Sequence, residues 1–149
     1  MEFVPGENLF QLLKREKNLP ETFVAKLFTG ILSGLDYLHK QEPPIIHRDL
    51  RPQNIIIQNN LSPKIRNFEM SNYGWRFRNT FYGTNQYVSP EISMRNGHSS
   101  KTDIWSLGVM LLECIQGADH SESTSTQFGS MFKEHEKLAV ERNNTEYTN

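Results

Sequence analysis

Apolar positions recur at helical spacing in three stretches of the 149-residue chain. Leu9, Phe10, Leu12 and Leu13 give residues 7–17 a short helical pattern, closed by Asn18 and Pro20. Pro20 opens the next segment at a position where a helix tolerates it. From there Val24, Leu27, Phe28, Ile31, Leu35 and Leu38 fall three and four residues apart, predicting an amphipathic helix that ends near His39. Pro43-Pro44 blocks any continuation. The third stretch, 101–117, has a different character. Ile104, Trp105, Leu107, Val109, Met110, Leu111, Leu112, Cys114 and Ile115 cover most of its circumference, and a helix apolar all round needs cover all round. Between the helices, residues 55–57 and 64–66 are short β-type runs joined by the turn-rich Gln58-Asn59-Asn60. Residues 67–89 have no periodicity and include Gly74 and Gly83, so they read as one long loop. Loops of that length inside compact domains are usually functional.

Composition narrows the class. A length of 149 residues fits one domain, and 36% hydrophobic content is on the low side for a chain that must build a full core. The formal charge is −1 with acids and bases mixed along the chain, which gives no electrostatic case for nucleic acid or an anionic membrane. The start, Met-Glu-Phe-Val-Pro, lacks the basic segment and apolar run of a secretory signal. The longest apolar stretch, 104–115, is interrupted by Ser106, Gly108 and Glu113 and is too short to span a bilayer. The lone Cys114 sits inside it and reads as a small buried hydrophobe. An intracellular, cytoplasmic protein is expected. After Gly117 the composition turns to Ser, Thr, Asn and charge. Residues 118–149 are therefore expected to form a polar tail, disordered or marginally helical, that supplies little apolar surface. Ile104, Leu107, Leu111 and Ile115 should then contribute to a sticky face.

The chemistry concentrates in residues 45–57, Ile-Ile-His-Arg-Asp-Leu-Arg-Pro-Gln-Asn-Ile-Ile-Ile. A carboxylate, Asp49, precedes an amide, Asn54, by five residues, with Arg48 and Arg51 beside them and apolar anchors on both flanks. A short polar loop pinned between buried anchors is a good mount for catalytic groups. The string resembles the catalytic loop of protein kinases, His-Arg-Asp-Leu-Lys-x-x-x-Asn. Two further segments match in order. Gly83-Thr84-Asn85-Gln86-Tyr87-Val88-Ser89-Pro90-Glu91 is similar to the segment that ends a Ser/Thr-type activation loop. Asp103-Ile104-Trp105-Ser106-Leu107-Gly108 resembles the start of the large central helix.

The resemblance implies roles. Asp49 would orient the substrate hydroxyl and accept its proton, Asn54 would coordinate magnesium, and Arg51 would stand where this class usually has lysine. Thr84 would hydrogen-bond towards Asp49. Arg48 would pair with a phosphorylated loop residue, for which Thr80 is the candidate. His47, Phe68, Glu91 and Asp103 would be structural, Asp103 tying down the catalytic-loop backbone. Met1-Glu2-Phe3-Val4 looks like the hinge, meeting adenine through the Glu2 carbonyl and the Val4 amide. Glu7 would take the ribose, and Ile56 would form the apolar floor. ATP and Mg²⁺ are the implied cofactors, and a protein substrate or protein partner is implied.

One position departs from the pattern. The family carries Asp-Phe-Gly where this chain reads Asn67-Phe68-Glu69, so both metal positions, Asn54 and Asn67, are neutral amides. Magnesium favours carboxylate oxygens. Glu69 is the one nearby substitute, and it also replaces a glycine whose backbone freedom lets that segment flip. The expected fold is mainly α with a small β-hairpin. It is a kinase-like C-lobe spanning residues 1–117, hinge to central helix, without the N-lobe, its Gly-rich loop and its lysine. Three functions stay open: a pseudokinase-like binding or scaffold module with weak or absent nucleotide binding, a piece of a longer active Ser/Thr kinase, and free-standing catalysis.

Overall fold

The computed structural model describes residues 4–16, 18–73, 87–93 and 99–116. The order is β1 (Glu7–Asn8), α1 (Leu9–Arg15), α2 (Glu21–His39), β2 (Ile45–Ile46), β3 (Ile55–Ile57), β4 (Pro63–Ile65), β5 (Asn72–Tyr73), α3 (Pro90–Ser93) and α4 (Ser100–Gln116). The described chain is mainly helical, with two small antiparallel sheets.

The first helix begins at Leu9, two residues later than its apolar pattern suggests. Glu7 and Asn8 are extended and pair with Ile57 and Ile56. Asn8 then caps α1: its side chain accepts from the Gln11 N–H, and the Gln11 side chain accepts from the Asn8 N–H. This reciprocal cap satisfies two of the four donors that a helix start leaves unpaired.

Helix α2 follows its periodicity closely. Val24, Leu27, Phe28, Ile31 and Leu35 are all buried, on the face that meets α4 and β4. Gly30 lies on that contact, where an added Cβ would come within 2.6 Å of the Pro63 ring. The glycine costs helix propensity but lets the strand approach.

β3 lies between β1 and β4, with Ile55 opposite Ile65 and Ile57 opposite Pro63. The hairpin therefore takes in Pro63 and leaves out Arg66, a shift of one residue from the pattern in the sequence. All three isoleucines of β3 are buried. A run buried on both faces loses the period-two signal that alternation would have given. The expected loop 67–89 is also more structured at its start. Residues Phe68–Met70 form a 3₁₀ turn, and β5 pairs antiparallel with β2, Ile46 opposite Asn72.

Helix α4 is less evenly covered than an all-round apolar helix requires. Leu107, Val109, Met110 and Cys114 join the core with α1, α2 and β3, whereas Ile104 is 48% and Ile115 64% exposed. Leu111 is partly buried against the core. Of the four side chains expected on a sticky face, two are thus open and Leu107 is fully packed. Burial pushes the Cys114 thiol up to about 12, so it behaves as an inert apolar group. Among the described residues no helix is long and apolar enough to cross a membrane.

Candidate active site

The loop between β2 and β3 is held from behind by one buried carboxylate. Asp103, in the first turn of α4 and fully buried, accepts three hydrogen bonds. Its Oδ2 takes the His47 N–H at 2.9 Å and the His39 Nε2–H at 2.8 Å, and its Oδ1 takes the Arg48 N–H at 2.8 Å. An anion at a helix start is also favoured by the helix dipole. Arg48 sits at φ 69°, a left-handed backbone that an unbranched residue adopts only at some cost. The carboxylate holds that turn in place. His39 was not singled out in the sequence beyond marking the end of α2, where nothing local points to Asp103 as its partner.

The His47 ring completes the frame. Its Nε2–H donates to the Arg66 carbonyl at 2.9 Å, and its Nδ1 accepts the Asp49 N–H at 3.3 Å. The Phe68 ring meets it edge-on, centroids 4.9 Å apart. The loop and the segment after β4 are therefore locked together, which brings Asn67 next to Asp49.

Among the described residues the side-chain groups that meet the Asp49 carboxylate are donors. Asn54, 2% exposed, gives its amide N–H groups to the Asp49 carbonyl at 2.7 Å and to Asp49 Oδ2 at 2.8 Å. The Asn67 amide nitrogen lies 3.5 Å from the same Oδ2. Arg51 Nε stands 3.6 Å from Oδ1. Turning the Asn54 amide over would set its oxygen against a carbonyl and a carboxylate, so the orientation follows from the chemistry. Asn67 takes φ 66° and ψ 71°, a left-handed conformation that Asn and Asp tolerate best among residues with a side chain.

A magnesium ion needs oxygens pointing inward. Here the two amides give their N–H groups to Asp49 and keep only neutral oxygens for a cation. Glu69, two residues after Asn67, is exposed on the 3₁₀ turn. Among the described residues no group of three or more His, Cys, Asp and Glu side chains is placed to hold a metal. Among the described residues a divalent cation here would meet one carboxylate, Asp49, and two neutral amides, a weaker set than a pair of carboxylates.

The other expected site residues separate into three groups. Glu7 and Ile56 lie on neighbouring strands, with Ile56 8% exposed, and Val4 just precedes them, half-buried. Glu91 accepts from the Thr102 hydroxyl at 3.2 Å, tying α3 to α4. Glu2, Thr80 and Thr84 lie outside the described residues, as does the tail 118–149.

A second anchor on α4 was missed in the sequence. The Tyr87 hydroxyl donates to the Glu113 carboxylate at 2.5 Å, and Ser106 donates to the Tyr87 carbonyl at 2.8 Å. Glu113 interrupts an apolar run, and a buried carboxylate there needs a donor from elsewhere, which was the available signal. Burial raises the Glu113 pKa above the usual carboxylate range, and the Tyr87 hydrogen bond opposes that shift. With the folded value above the unfolded one, the native state holds the proton more tightly. This group's contribution is therefore fully present below the unfolded pKa, near 4.5, and declines as pH rises through the folded one. Tyr87→Phe should cost about 1–3 kcal/mol at neutral pH, because it strands a buried acceptor. The loss should shrink at pH 4. Urea denaturation at the two pH values checks this, and a pH-independent loss would assign the effect to packing alone.

A family model for the protein kinase domain matches residues 1–148. The chain belongs to the protein kinase family. Among similar proteins, mitogen-activated protein kinase kinase 2 of Arabidopsis thaliana is 40% identical over 120 residues, covering 78% of this chain and 33% of its own. Mitogen-activated protein kinase kinase SIPKK of Nicotiana tabacum is 41% identical with the same coverage. The inactive serine/threonine-protein kinase PLK5 of Mus musculus is 35% identical over 120 residues, covering 78% of this chain and 20% of its own. The chain thus spans about a third of the length of the mitogen-activated protein kinase kinases it matches. The loop that carries Asp49 and Asn54 resembles the family's catalytic loop, and Asn67 stands where the quoted family pattern has aspartate.

Proposed function

We propose that this Ser/Thr-kinase-like chain is a pseudokinase-like module of the kinase C-lobe, impaired in phosphoryl transfer and acting through protein partners. The observation that carries the reading is the donor set around Asp49. Asn54 and Asn67 both turn amide N–H groups towards Asp49 Oδ2. Phosphoryl transfer depends on positioning and on neutralising the charge of the phosphates. A site that satisfies its own carboxylate internally, and presents no second one, is poor at both. Val4 and Glu2 make the edge and Ile56 the floor of a nucleotide cleft in this reading, with Glu7 on the neighbouring strand opposite Ile57, and ATP binding there is weak and indifferent to magnesium. Arg48 and Thr80 would serve regulation by phosphorylation, and Thr84 would lie against Asp49. One of the similar proteins is itself named an inactive kinase.

A second reading, part of an active kinase of the mitogen-activated protein kinase kinase type, draws on the names of the other relatives. A radiolabelled-phosphate transfer assay with magnesium or manganese and a generic Ser/Thr protein substrate separates the two. No transfer is expected. Turnover that disappears in Asp49→Ala would overturn the proposal in favour of the second reading.

A further inference from the structure

We infer that Arg66 is a phosphate-binding residue, whose guanidinium takes the phosphates of an adenine nucleotide without a metal. The inference rests on the reading of Ile56 as the floor of a nucleotide cleft and names the side chain that receives the ligand's charge.

The ladder between β3 and β4 decides which side chains share a face. Ile56 stands opposite Lys64, and the pairing runs past both strand ends. The Arg66 N–H donates to the Asn54 carbonyl at 2.9 Å, and the Gln58 N–H to the Ser62 carbonyl at 3.0 Å. Side chains alternate between faces, so Asn54, Ile56 and Gln58 share one with Ser62, Lys64 and Arg66. The Ser62 hydroxyl, which donates to Gln58 Oε1 at 2.8 Å, lies where that alternation puts it. The opposite face is turned to α2: a Cβ at Gly30 would meet Pro63, and one at Gly34 would meet Ile65. Glu7, opposite Ile57, belongs to that α2 side and is the one acid on β1, β3 and β4. The face of Ile56 therefore carries two cations, Lys64 half-buried and Arg66 exposed. Arg66 is the diagonal neighbour of Ile56, about 7–8 Å away along the sheet and within reach of a long side chain. Its backbone is held on both sides, by the bond to Asn54 and by the His47 Nε2–H, which donates to its carbonyl at 2.9 Å.

Phosphates need counter-charge wherever they bind. Asp49, the acid of the neighbouring loop, already takes the Asn54 and Asn67 amides and has Arg51 Nε at 3.6 Å. Arg66 directly precedes Asn67, so a cation stands beside the position where the quoted family pattern has aspartate. An arginine fork matches two phosphate oxygens and stays charged, and it does so without the inward-facing oxygens that magnesium asks for. The guanidinium is open to water, so screening limits its contribution to a several-fold one.

Titration of the full chain with adenosine, ATP and inorganic tripolyphosphate in EDTA, followed through the Ile56 methyl signals in NMR, tests the assignment. ATP should bind about five- to tenfold tighter than adenosine. Tripolyphosphate, which lacks the base, should bind more weakly than ATP and compete with it. Arg66→Ala should bring ATP to within about twofold of adenosine and leave adenosine unchanged. Arg66→Lys should keep part of the lead, since it keeps the charge and loses the fork. Raising ionic strength should shrink the lead of ATP in the native chain and leave adenosine unmoved. The salt series and Arg66→Lys read the same charge in chains that keep the long side chain, should the alanine variant be unstable. A lead of ATP that survives in Arg66→Ala, or that appears only when magnesium replaces EDTA, overturns the role of Arg66 and leaves the cleft reading intact. Tripolyphosphate binding as tightly as ATP also overturns it, in favour of a bare polyanion site. No saturable shift at Ile56 with adenosine or ATP in any chain overturns the inference and the cleft reading together.

Discussion

Replacing Asp103 by alanine is expected to unfold the chain at room temperature. The substitution leaves two backbone N–H groups, on His47 and Arg48, and the His39 Nε2–H without their acceptor. The carboxylate is fully buried, so little water stands by to replace it. Each buried group left unsatisfied costs about 1–3 kcal/mol, and the left-handed turn at Arg48 loses the contact that holds it. The sum approaches the roughly 5–15 kcal/mol by which domains are stable at all. Asp103→Asn is the sharper comparison. Its amide keeps one oxygen, which serves either the Arg48 N–H or the pair of donors at Oδ2, while its NH₂ must face the others. It should fall between the native chain and alanine. Circular dichroism with urea denaturation reads all three, and an alanine variant within about 1 kcal/mol of native would show that the catalytic loop is held by something other than Asp103.

The parts of this structure legible in the sequence are those with a strong local pattern. The period of α2 gave its buried face, and Pro20 and Pro43-Pro44 bounded it. The cluster around Asp49 was legible through the resemblance of residues 45–57 to the kinase catalytic loop, a compact string flanked by isoleucines. Other features are set by partners far away in the chain. Glu7 and Asn8 have helical neighbours yet pair as strand, because β3 offers them a ladder and Asn8 serves better as a cap than inside a helix. The shift of β4 onto Pro63 depends on the register with Ile57. His39, Thr102 and Glu113 each look ordinary in sequence and gain meaning from one partner, Asp103, Glu91 and Tyr87 in turn. Arg15 is the same case: eight residues separate it from Glu7, and only the strand-to-helix junction makes that distance an ion pair.

Asn67→Asp is expected to convert a site indifferent to magnesium into one stabilised by it. In the native chain the Asn67 amide nitrogen lies 3.5 Å from Asp49 Oδ2, a weak but favourable contact. Aspartate keeps the size and also tolerates the left-handed backbone at this position, so the change is electrostatic. Two carboxylates then face each other across about 4 Å, a repulsion of about 4 kcal/mol at an effective dielectric near 20. Both groups reach solvent, which should reduce the observed loss to about 1–2 kcal/mol. A divalent cation reverses the sign of that balance, since it binds the folded pair and has no such pair in the unfolded chain. With a dissociation constant near 1 mM, 10 mM magnesium would return about 1.4 kcal/mol. Thermal unfolding with and without magnesium, in the presence and absence of ATP, measures both chains. The native protein should show the same midpoint throughout the magnesium series, and Asn67→Asp should start lower and climb. Equal stabilisation of the two would mean that Glu69 or another group already supplies the missing carboxylate. The amide pair would then be a tolerated variation and no ground for the proposal that this kinase-family chain is impaired.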